Sequence, residues 1–248
     1  MTYKQENYLV FPSPEALAAH TAEAFLQLAR QSAANRRPGF VALSGGSTPN
    51  LLYRELTRRV AAEKPDWRWL HLFWGDERCV PPDDPESNFG TAERLFLKPA
   101  GFPKENIHRI RGEADPEEEA VRYQREITRW LPAAPSGLPR FDWVFLGMGA
   151  DGHTASLFPG AAAVRENERL CVPAVHLQSG QRRITITLPL INTAAKVTFL
   201  VTGEFKRNTL RALWHNQPNA ANYPAALVQP EAGQLEWWVD VAVNPTGK

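Results

Sequence analysis

FDWVFLGMGADGH, residues 141–153, is the stretch from which the fold can best be predicted. Its first six residues form a mostly apolar run with the length of a buried β-strand. Three glycines, Gly147, Gly149 and Gly152, then allow a sharp turn in which the backbone can lie close to a ligand. His153 follows the turn, and an imidazole can take up and return a proton near neutral pH. The stretch therefore predicts a strand, a tight turn and a functional histidine at the carboxyl end of the strand.

The same alternation of apolar runs and turns continues on both sides of this stretch. Further strands are predicted at residues 8–11, 40–43, 69–74, 170–175, 183–188, 196–201 and 235–239. Helices are predicted to begin near Ser13-Pro14, Ser47, Asp115-Pro116 and Gly203, with a shorter one at residues 91–97. Because strands and helices alternate and several strands are apolar on both faces, the sequence predicts one α/β domain over residues 1–248. Its central sheet is expected to be mostly parallel, with helices covering each side.

Composition limits the classes of function. The chain has 248 residues, with 28 basic and 27 acidic side chains and a net charge of +1. This balance gives no indication of a nucleic-acid or membrane partner. No apolar run reaches the length of a membrane span, and no apolar signal segment follows the polar N-terminus, so we expect a cytoplasmic protein. Cys79 and Cys171 lie far apart without metal-ligand spacing, which indicates reduced thiols and no metal site.

The glycine turn also fits the dinucleotide-binding pattern G-x-G-x-x-G after a strand. Two features argue against that interpretation. The segment after Gly152 is interrupted by Pro159-Gly160, which leaves too little chain for the crossover helix of a dinucleotide fold. The acids at about the right distance, Glu166 and Glu168, precede the next strand, whereas a ribose-binding acid ends it. A tight turn that binds nothing is the structural alternative.

A second turn, LSGGSTP at residues 43–49, has the features of an anion site. Its glycines and hydroxyl side chains lie where a strand ends and a helix begins, so backbone N–H groups at the helix N-terminus are available to a phosphate. We therefore take Gly45, Gly46, Ser47 and Thr48 as candidate phosphate-binding residues. No Lys-Ser/Thr pair follows at the P-loop spacing, which argues against a nucleoside triphosphate. An ordinary capped helix start is the alternative.

Charged residues follow other predicted strands. Asp76 and Arg78 come just after the third strand, in front of a proline-rich loop that extends to residue 88. Arg183 begins one strand, and Lys206 begins the helix after the next strand. An arginine fork and a lysine point charge are what a phosphorylated ligand needs in addition to N–H donors. A surface position is the alternative for each cation, and the neighbouring Arg182 could serve instead of Arg183.

Five segments together resemble the 6-phosphogluconolactonases, a family that shares a fold with the glucosamine-6-phosphate deaminases. They are residues 43–49, 74–78 with Ser87-Asn88, 147–159, 183–187 with Ile191-Asn192, and 203–206, in family order and over nearly the whole chain. The run DGHTASLFP at residues 151–159 is the most diagnostic part. The resemblance implies a modified Rossmann-like, three-layer α/β/α sandwich. It also implies hydrolysis of 6-phospho-D-glucono-1,5-lactone to 6-phosphogluconate in the oxidative pentose phosphate pathway, with no metal and no organic cofactor.

Combined with the resemblance, the candidate residues form one catalytic scheme. His153 is expected to be the general base that activates water, and Asp76 and Arg78 are further catalytic candidates whose functions stay open. Substrate and phosphate are expected to contact Gly45, Gly46, Ser47, Thr48, Gly149, Arg183 and Lys206. The function of Asp151 also stays open, because proximity in sequence does not establish that it orients His153. The only partner expected is the small sugar-phosphate lactone, with no nucleic acid and no membrane, and the chain is expected to be a monomer or a weak homo-oligomer.

Two other functions remain as alternatives. The deaminases that this chain resembles carry a glutamate five residues after the histidine, where this chain has Phe158. An apolar ring cannot move a proton, so the difference argues against an amino-sugar-phosphate deaminase or isomerase. A non-catalytic sugar-phosphate sensor could dispense with its base, and His153 in an intact turn argues against that function.

Overall fold

Seven parallel strands form the central sheet of the computed structural model, which describes residues 8–245. The strands of the described chain are Tyr8–Phe11 (β1), Gly39–Leu43 (β2), Leu70–Trp74 (β3), Asp76–Arg78 (β4), Ile107–His108 (β5), Trp143–Leu146 (β6), Cys171–Val175 (β7), Arg182–Ile186 (β8), Lys196–Val201 (β9) and Gln234–Asp240 (β10). The central sheet has the order β1-β10-β9-β6-β2-β3-β5, and each neighbouring pair in it is parallel. The predicted parallel sheet is therefore confirmed. The two ends of the predicted domain, residues 1–7 and 246–248, lie outside the described residues.

Helices alternate with these strands. The α-helices within residues 8–245 are Pro14–Asn35 (α1), Ser47–Glu63 (α2), Asn88–Ala92 (α3), Pro116–Trp130 (α4), Leu188–Asn192 (α5) and Arg207–Trp214 (α6). Short 3₁₀ turns occur at Trp67–Trp69, Lys104–Asn106, Ala162–Arg165, Glu204–Lys206, Pro218–Asn222 and Pro224–Leu227. The helix predicted at residues 91–97 is the end of α3 followed by a π-helical turn at Glu93–Leu97. None of the described helices is both long enough and apolar enough to cross a membrane.

Local sequence explains where two of the long helices begin. Ser13 caps α1 by accepting the Ala16 N–H over 3.2 Å. Asp115 caps α4 in the same way and accepts the N–H groups of Glu117 and Glu118 over 3.0 and 3.2 Å. These caps satisfy N–H groups that have no partner inside the helix. Both helix starts agree with the sequence-based prediction.

Helices cover both faces of the central sheet. Phe145 of β6 packs against Phe25 of α1, with ring centroids 6.4 Å apart. The neighbouring Val144 points to the opposite face, because side chains alternate along a strand. On that face Phe73 of β3 lies in line with Val144 across β2, and Phe73 packs against Tyr123 of α4 with ring centroids 6.3 Å apart. The expected three-layer α/β/α arrangement is therefore present.

A second, antiparallel sheet of order β4-β8-β7 lies beside the first. Its register pairs Asp76 with Thr185 and Arg78 with Arg183. The sequence predicts β7 and β8 as strands but does not indicate that they leave the central sheet. β4 has only three residues, which is too short to show a periodic pattern. The small sheet matters because it places side chains of β4 and β8 next to each other.

The strand order creates a crevice at the carboxyl ends of the middle strands. From β2 the chain proceeds to β3 and β5 on one side, and from β6 it proceeds to β9 and β10 on the other. Since β2 and β6 are neighbours, the connections that follow them leave in opposite directions. In open parallel sheets, ligands bind at such a switch point. The turns after β2, β3, β6 and β9 are therefore where a site is expected.

Candidate active site

An open cleft of about 240 Å³ lies at this switch point. Turns that follow β2, β6 and β9 line it, together with residues of β4 and β8. Its lining includes every site residue predicted from the sequence, which are His153, Asp76, Arg78, Gly45, Gly46, Ser47, Thr48, Gly149, Arg183 and Lys206. Arg182, the alternative to Arg183, lines a different cavity beside Cys79. The fold thus brings residues from five separate parts of the chain to one surface.

His153 is held by the residue two positions before it. Its Nδ1 atom lies 2.6 Å from Oδ1 of Asp151, which also accepts the His153 backbone N–H over 3.2 Å. Burial by itself would raise the pKa of the Asp151 carboxyl, but the charge and hydrogen bonds of His153 outweigh it and lower that pKa. With Nδ1 engaged by a carboxylate, Nε2 is the ring nitrogen that remains for chemistry. Spacing alone could not show this pairing, because it depends on how the turn rotates the two side chains.

Gly149 permits this pairing because it has no side chain. A Cβ atom at this position would lie 2.2 Å from Nδ1 of His153 and 2.6 Å from Oδ1 of Asp151, closer than real Cβ atoms approach other heavy atoms. The Gly149 N–H donates to the His153 carbonyl over 2.9 Å, which closes the turn. The glycine therefore serves a close approach of side chains to the backbone.

The N-terminus of α2 forms a second wall of the cleft. Its cap residue is Gly46, with φ of 108°, so no side chain caps the first turn of this 17-residue helix. The uncapped N–H groups and the helix dipole make this wall attractive to an anion. Gly45 is packed against Asn88, whose Oδ1 would lie 1.7 Å from a Cβ at position 45. The Thr48 and Thr202 hydroxyls lie 2.7 Å apart and join this turn to the end of β9.

Asp76 is buried, with 5% of its surface exposed, and neighbouring groups already engage its carboxylate. Its Oδ2 accepts the Ser156 hydroxyl over 2.7 Å and lies 3.6 Å from Nη1 of Arg183. Asn88 donates from Nδ2 to the Asp76 carbonyl over 2.9 Å and approaches Oδ1 at 3.4 Å. Asp76 therefore connects three parts of the structure at the cleft: the start of α3, strand β8 and the segment that follows the glycine turn. Asn88 and Ser156, which complete this arrangement, have no signal of their own in the sequence and stand out only within the family-like segments.

Glu77 does not line the cleft and instead fixes α3. Its buried carboxylate accepts the N–H groups of Arg78, Asn88 and Phe89 over 2.8, 2.7 and 2.8 Å, and the Ser87 hydroxyl over 3.0 Å. Burial raises the pKa of Glu77, although these donors oppose the shift. The carboxylate acts as a cap for α3 and so determines where Asn88 meets the cleft.

Arg78 and Arg183 face each other across the ladder of β4 and β8. Like charges directly opposite in such a ladder repel each other. Arg78 donates to the Glu86 carbonyl, and Nη2 of Arg183 donates to Oε1 of Gln181 over 2.8 Å. The Nε–H of each arginine is buried and has no partner among the described residues. Two facing guanidinium groups with unused donors make this wall attractive to an anion as well.

Lys206 completes the positive side of the cleft. It immediately precedes the first residue of α6, and its side chain is half-buried at the cleft. Burial lowers the pKa of its ammonium group, while the charge of Asp240 opposes the shift. An anionic ligand would stabilise this partly desolvated cation.

Phe158 fills the space beside His153. Its buried ring has a centroid 4.9 Å from that of His153, and the Arg183 guanidinium lies 5.6 Å from the same Phe158 centroid. The position where the deaminases are expected to carry a carboxylate is therefore apolar and close to both candidate side chains. Of these three side chains, only His153 can move a proton near neutral pH.

A separate histidine cluster lies outside the cleft. His71 Nδ1 lies 3.0 Å from His108 Nε2, and His108 Nδ1 lies 2.8 Å from Oε1 of Glu126. Burial and the neighbouring His108 lower the pKa of His71 to about 4. The cluster is a hydrogen-bonded part of the core. Within residues 8–245 no group of three or more His, Cys, Asp or Glu side chains could hold a metal ion.

Residues 12–237 match the family model described as glucosamine-6-phosphate isomerases/6-phosphogluconolactonase. The chain belongs to this family. A 6-phosphogluconolactonase of Haemophilus influenzae is 42% identical over 236 residues, which are 95% of this chain and 97% of that protein. The crystal structure of devB protein shares 39% identity with a TM-score of 0.88, over 96% of this chain and 97% of that one. The 6-phosphogluconolactonase of Trypanosoma brucei shares 26% identity with a TM-score of 0.83, again over 96% and 97%.

Membership of the glucosamine-6-phosphate isomerase/6-phosphogluconolactonase family confirms the resemblance seen in the five sequence segments. The description of the family names two chemistries, so membership alone does not choose between isomerisation and lactone hydrolysis. In a family that shares its fold, the choice depends on the residues around the histidine. Phe158 and the Asp151–His153 pair are those residues in this chain.

Proposed function

We propose that this chain is an enzyme that hydrolyses 6-phospho-D-glucono-1,5-lactone to 6-phosphogluconate, a step of the oxidative pentose phosphate pathway. The observation that carries the proposal is the cleft, where His153 shares one surface with the uncapped α2 N-terminus, Arg78, Arg183 and Lys206. A histidine can activate water, and the positive walls suit a phosphate. The H. influenzae relative of 42% identity bears the name 6-phosphogluconolactonase.

In the proposed reaction His153 acts first as a base and then as an acid. Its Nε2 takes a proton from a water molecule while the oxygen of that water bonds to the lactone carbonyl carbon, C1. The tetrahedral intermediate collapses with cleavage of the C1–O5 bond, and the same imidazole returns the proton to O5. The open-chain acid then loses its carboxyl proton to solvent. A positioned general base contributes about 10²–10⁴-fold to such a rate.

Asp151 supports this chemistry by orienting the ring. Its carboxylate lies 2.6 Å from Nδ1, presents Nε2 as the base and stabilises the imidazolium that forms when the proton is transferred. The turn at residues 147–152 is the proposed source of N–H donors for the negative charge that develops on the carbonyl oxygen. Since the N–H groups of Gly149 and Gly152 are used within the turn, the donors belong to its other residues.

The phosphate of the substrate is proposed to bind the α2 N-terminus at Gly45, Gly46, Ser47 and Thr48, together with Arg183 and Lys206. Holding this remote group fixes C1 next to the attacking water. Asp76 is assigned to positioning Arg183, because its Oδ2 lies 3.6 Å from that guanidinium and also accepts the Ser156 hydroxyl. Arg78, which faces Arg183, is proposed to contact the sugar or the phosphate.

The same observations disfavour the two alternatives. Deaminase or isomerase chemistry needs an acid where this chain has the buried Phe158. A sensor needs no base, and the Asp151–His153 pair at 2.6 Å is what a base requires. We further propose one domain over residues 1–248, in the cytoplasm, as a monomer or weak homo-oligomer that requires no metal or cofactor and binds no nucleic acid or membrane. The near-neutral net charge of +1 supports the last point.

A coupled assay tests the proposal. Glucose-6-phosphate dehydrogenase generates fresh lactone, and 6-phosphogluconate dehydrogenase reports the product, with enzyme-free hydrolysis subtracted. We expect the wild-type chain to accelerate hydrolysis and His153→Ala to lose about 10²–10⁴-fold in kcat. Lys206→Ala should raise KM for the phosphorylated lactone and leave hydrolysis of D-glucono-1,5-lactone in phosphate-free buffer unchanged. Full activity of His153→Ala, or ammonia release from glucosamine 6-phosphate, would contradict the proposal.

A further inference from the structure

One continuous segment of the chain, residues 206–226, holds the catalytic turn from outside the cleft. The Thr209 hydroxyl donates to the Ala150 carbonyl. The Ala225 N–H donates to the Gly152 carbonyl over 3.0 Å. The Tyr223 ring lies so close to Gly152 that a Cβ there would be 2.4 Å from its Cγ. The turn therefore depends on this segment for its position.

The same segment begins at the cleft. Lys206 immediately precedes the first residue of α6, and its side chain lines the site. Thr209 lies three residues further on and is 6% exposed. Residues three apart are neighbours on a helix surface, so the first turn of α6 joins the lysine directly to the threonine.

From Ala150 the connection to the proposed base is short. The next residue in the chain, Asp151, lies 2.6 Å from Nδ1 of His153. The complete path runs from Lys206 through the first turn of α6 to Thr209, across the hydrogen bond to Ala150, and through Asp151 to His153. Each link in it is a covalent bond, a helical turn or a hydrogen bond. The path gives a constraint on Lys206 a continuous physical route to the geometry of the base.

We propose that Thr209 is a positioning residue through which a phosphate bound at Lys206 fixes the catalytic turn, so that the phosphate group of the substrate activates its hydrolysis. This inference rests on the proposed lactonase function. Enzymes use the binding energy of a remote, non-reacting group to fix the geometry at the reacting centre. The activating phosphate then need not be attached to the lactone. Inorganic phosphate is expected to accelerate hydrolysis of the unphosphorylated D-glucono-1,5-lactone.

The experiment measures hydrolysis of D-glucono-1,5-lactone by the full chain against increasing inorganic phosphate, at constant pH and ionic strength. The enzyme-free rate is subtracted at each concentration, because phosphate itself promotes lactone opening. We expect a saturable activation of about tenfold for the wild-type chain and none for Lys206→Ala.

Thr209→Val should abolish the activation and lower kcat for the phosphorylated lactone about tenfold, with KM nearly unchanged. Inorganic phosphate should compete with the phosphorylated lactone equally well in this variant and in the wild-type chain. Thr209→Ser keeps the hydroxyl and should restore both activation and kcat. A variant with a merely structural defect would not separate kcat from KM in this way.

Thr57→Val is the matched control. The Thr57 hydroxyl also donates to a carbonyl of another element, that of Leu95 over 2.6 Å, and Thr57 does not line the cleft. This variant should keep the activation. A wild-type rate that does not respond to phosphate, or an activated Thr209→Val, overturns the inference, and the first of these results can be obtained even if Thr209→Val does not fold. Failure of the lactonase proposal is seen separately, as a wild-type chain that does not accelerate hydrolysis of the phosphorylated lactone.

Discussion

Gly149→Ala should disable the proposed base while leaving the protein folded. The new Cβ would lie 2.2 Å from Nδ1 of His153 and 2.6 Å from Oδ1 of Asp151, whereas ordinary contacts begin at 3.4 Å. The imidazole must therefore move outward by about 1 Å, because a carbon and a nitrogen atom cannot both stay at a separation so far below ordinary contact. The backbone of Gly149 is not in the left-handed region, so alanine adds no backbone strain. The substitution acts on the side-chain pair alone.

The size of the effect follows from that displacement. A misplacement of about 1 Å in a reacting group costs about 10²-fold, and complete loss of a general base costs at most about 10⁴-fold. We expect kcat to fall about 10²-fold, which corresponds to about 2.7 kcal/mol of transition-state stabilisation. KM should change little, because the proposed phosphate-binding residues lie in other parts of the chain. His153 and Asp151 reach solvent and can swing outward, so the free energy of unfolding should fall by less than about 1 kcal/mol.

The coupled lactonase assay with Gly75→Ala as the control gives the clearest measurement. Gly75 also follows a strand of the central sheet, and a Cβ there would meet the Leu43 carbonyl at an ordinary 3.6 Å. This control should keep the wild-type kcat. If Gly149→Ala also kept it, the requirement for a close Asp151–His153 pair would be refuted. An equal loss in both variants would instead show that any added methyl at a strand end impairs the site.

Three further perturbations test other parts of the structure. Gly45→Ala would place a Cβ 1.7 Å from Oδ1 of Asn88 and should raise KM for the phosphorylated lactone about tenfold, with a smaller change in kcat. Asp151→Asn should lower kcat about 10²–10⁴-fold at similar KM, because an amide cannot stabilise the imidazolium; a wild-type kcat in the same assay would contradict this. Burial and His108 lower the pKa of His71 to about 4, whereas the unfolded chain takes up this proton near pH 6.5. The contribution of His71 to the free energy of unfolding should therefore be fully present above about pH 6.5 and fall by up to about 3 kcal/mol as the pH drops to about 4. Urea unfolding at several pH values measures this change, and His71→Phe should reduce the pH dependence.

That the candidate site residues share one cleft could largely be predicted from the sequence, for a simple physical reason. The turns at residues 44–48 and 147–153 directly follow apolar runs, and Asp76 lies two residues beyond another. Parallel strands place their carboxyl ends on one edge of a sheet, so residues after such runs are expected to converge. The two helix caps, Ser13 and Asp115, were equally predictable because capping is decided by neighbouring residues.

The contacts among these residues could not be predicted, since they depend on turn rotation and sheet pairing. The Asp151–His153 pair exists because the backbone at Gly149 lets both side chains fold over it. The opposition of Arg78 and Arg183 requires a three-residue strand that shows no periodicity. Thr209 lies in an amphipathic helix and has no local pattern that marks its hydrogen bond to the Ala150 carbonyl in the glycine turn.

Phe158 links the proton chemistry of this chain to its electrostatics. Its ring lies 4.9 Å from the His153 ring and 5.6 Å from the Arg183 guanidinium, measured between centroids and to the guanidinium carbon. A cation over an aromatic face is attracted only weakly and keeps its full charge, whereas a carboxylate at this place would pair with the guanidinium and neutralise it. The apolar ring therefore does two things at once: it adds no second carboxylate beside His153, whose acidic partner is Asp151, and it adds none beside Arg183 to the Asp76 carboxylate at 3.6 Å. Under the proposed function, this one side chain bears both on the groups that move protons and on the charge proposed to receive the substrate.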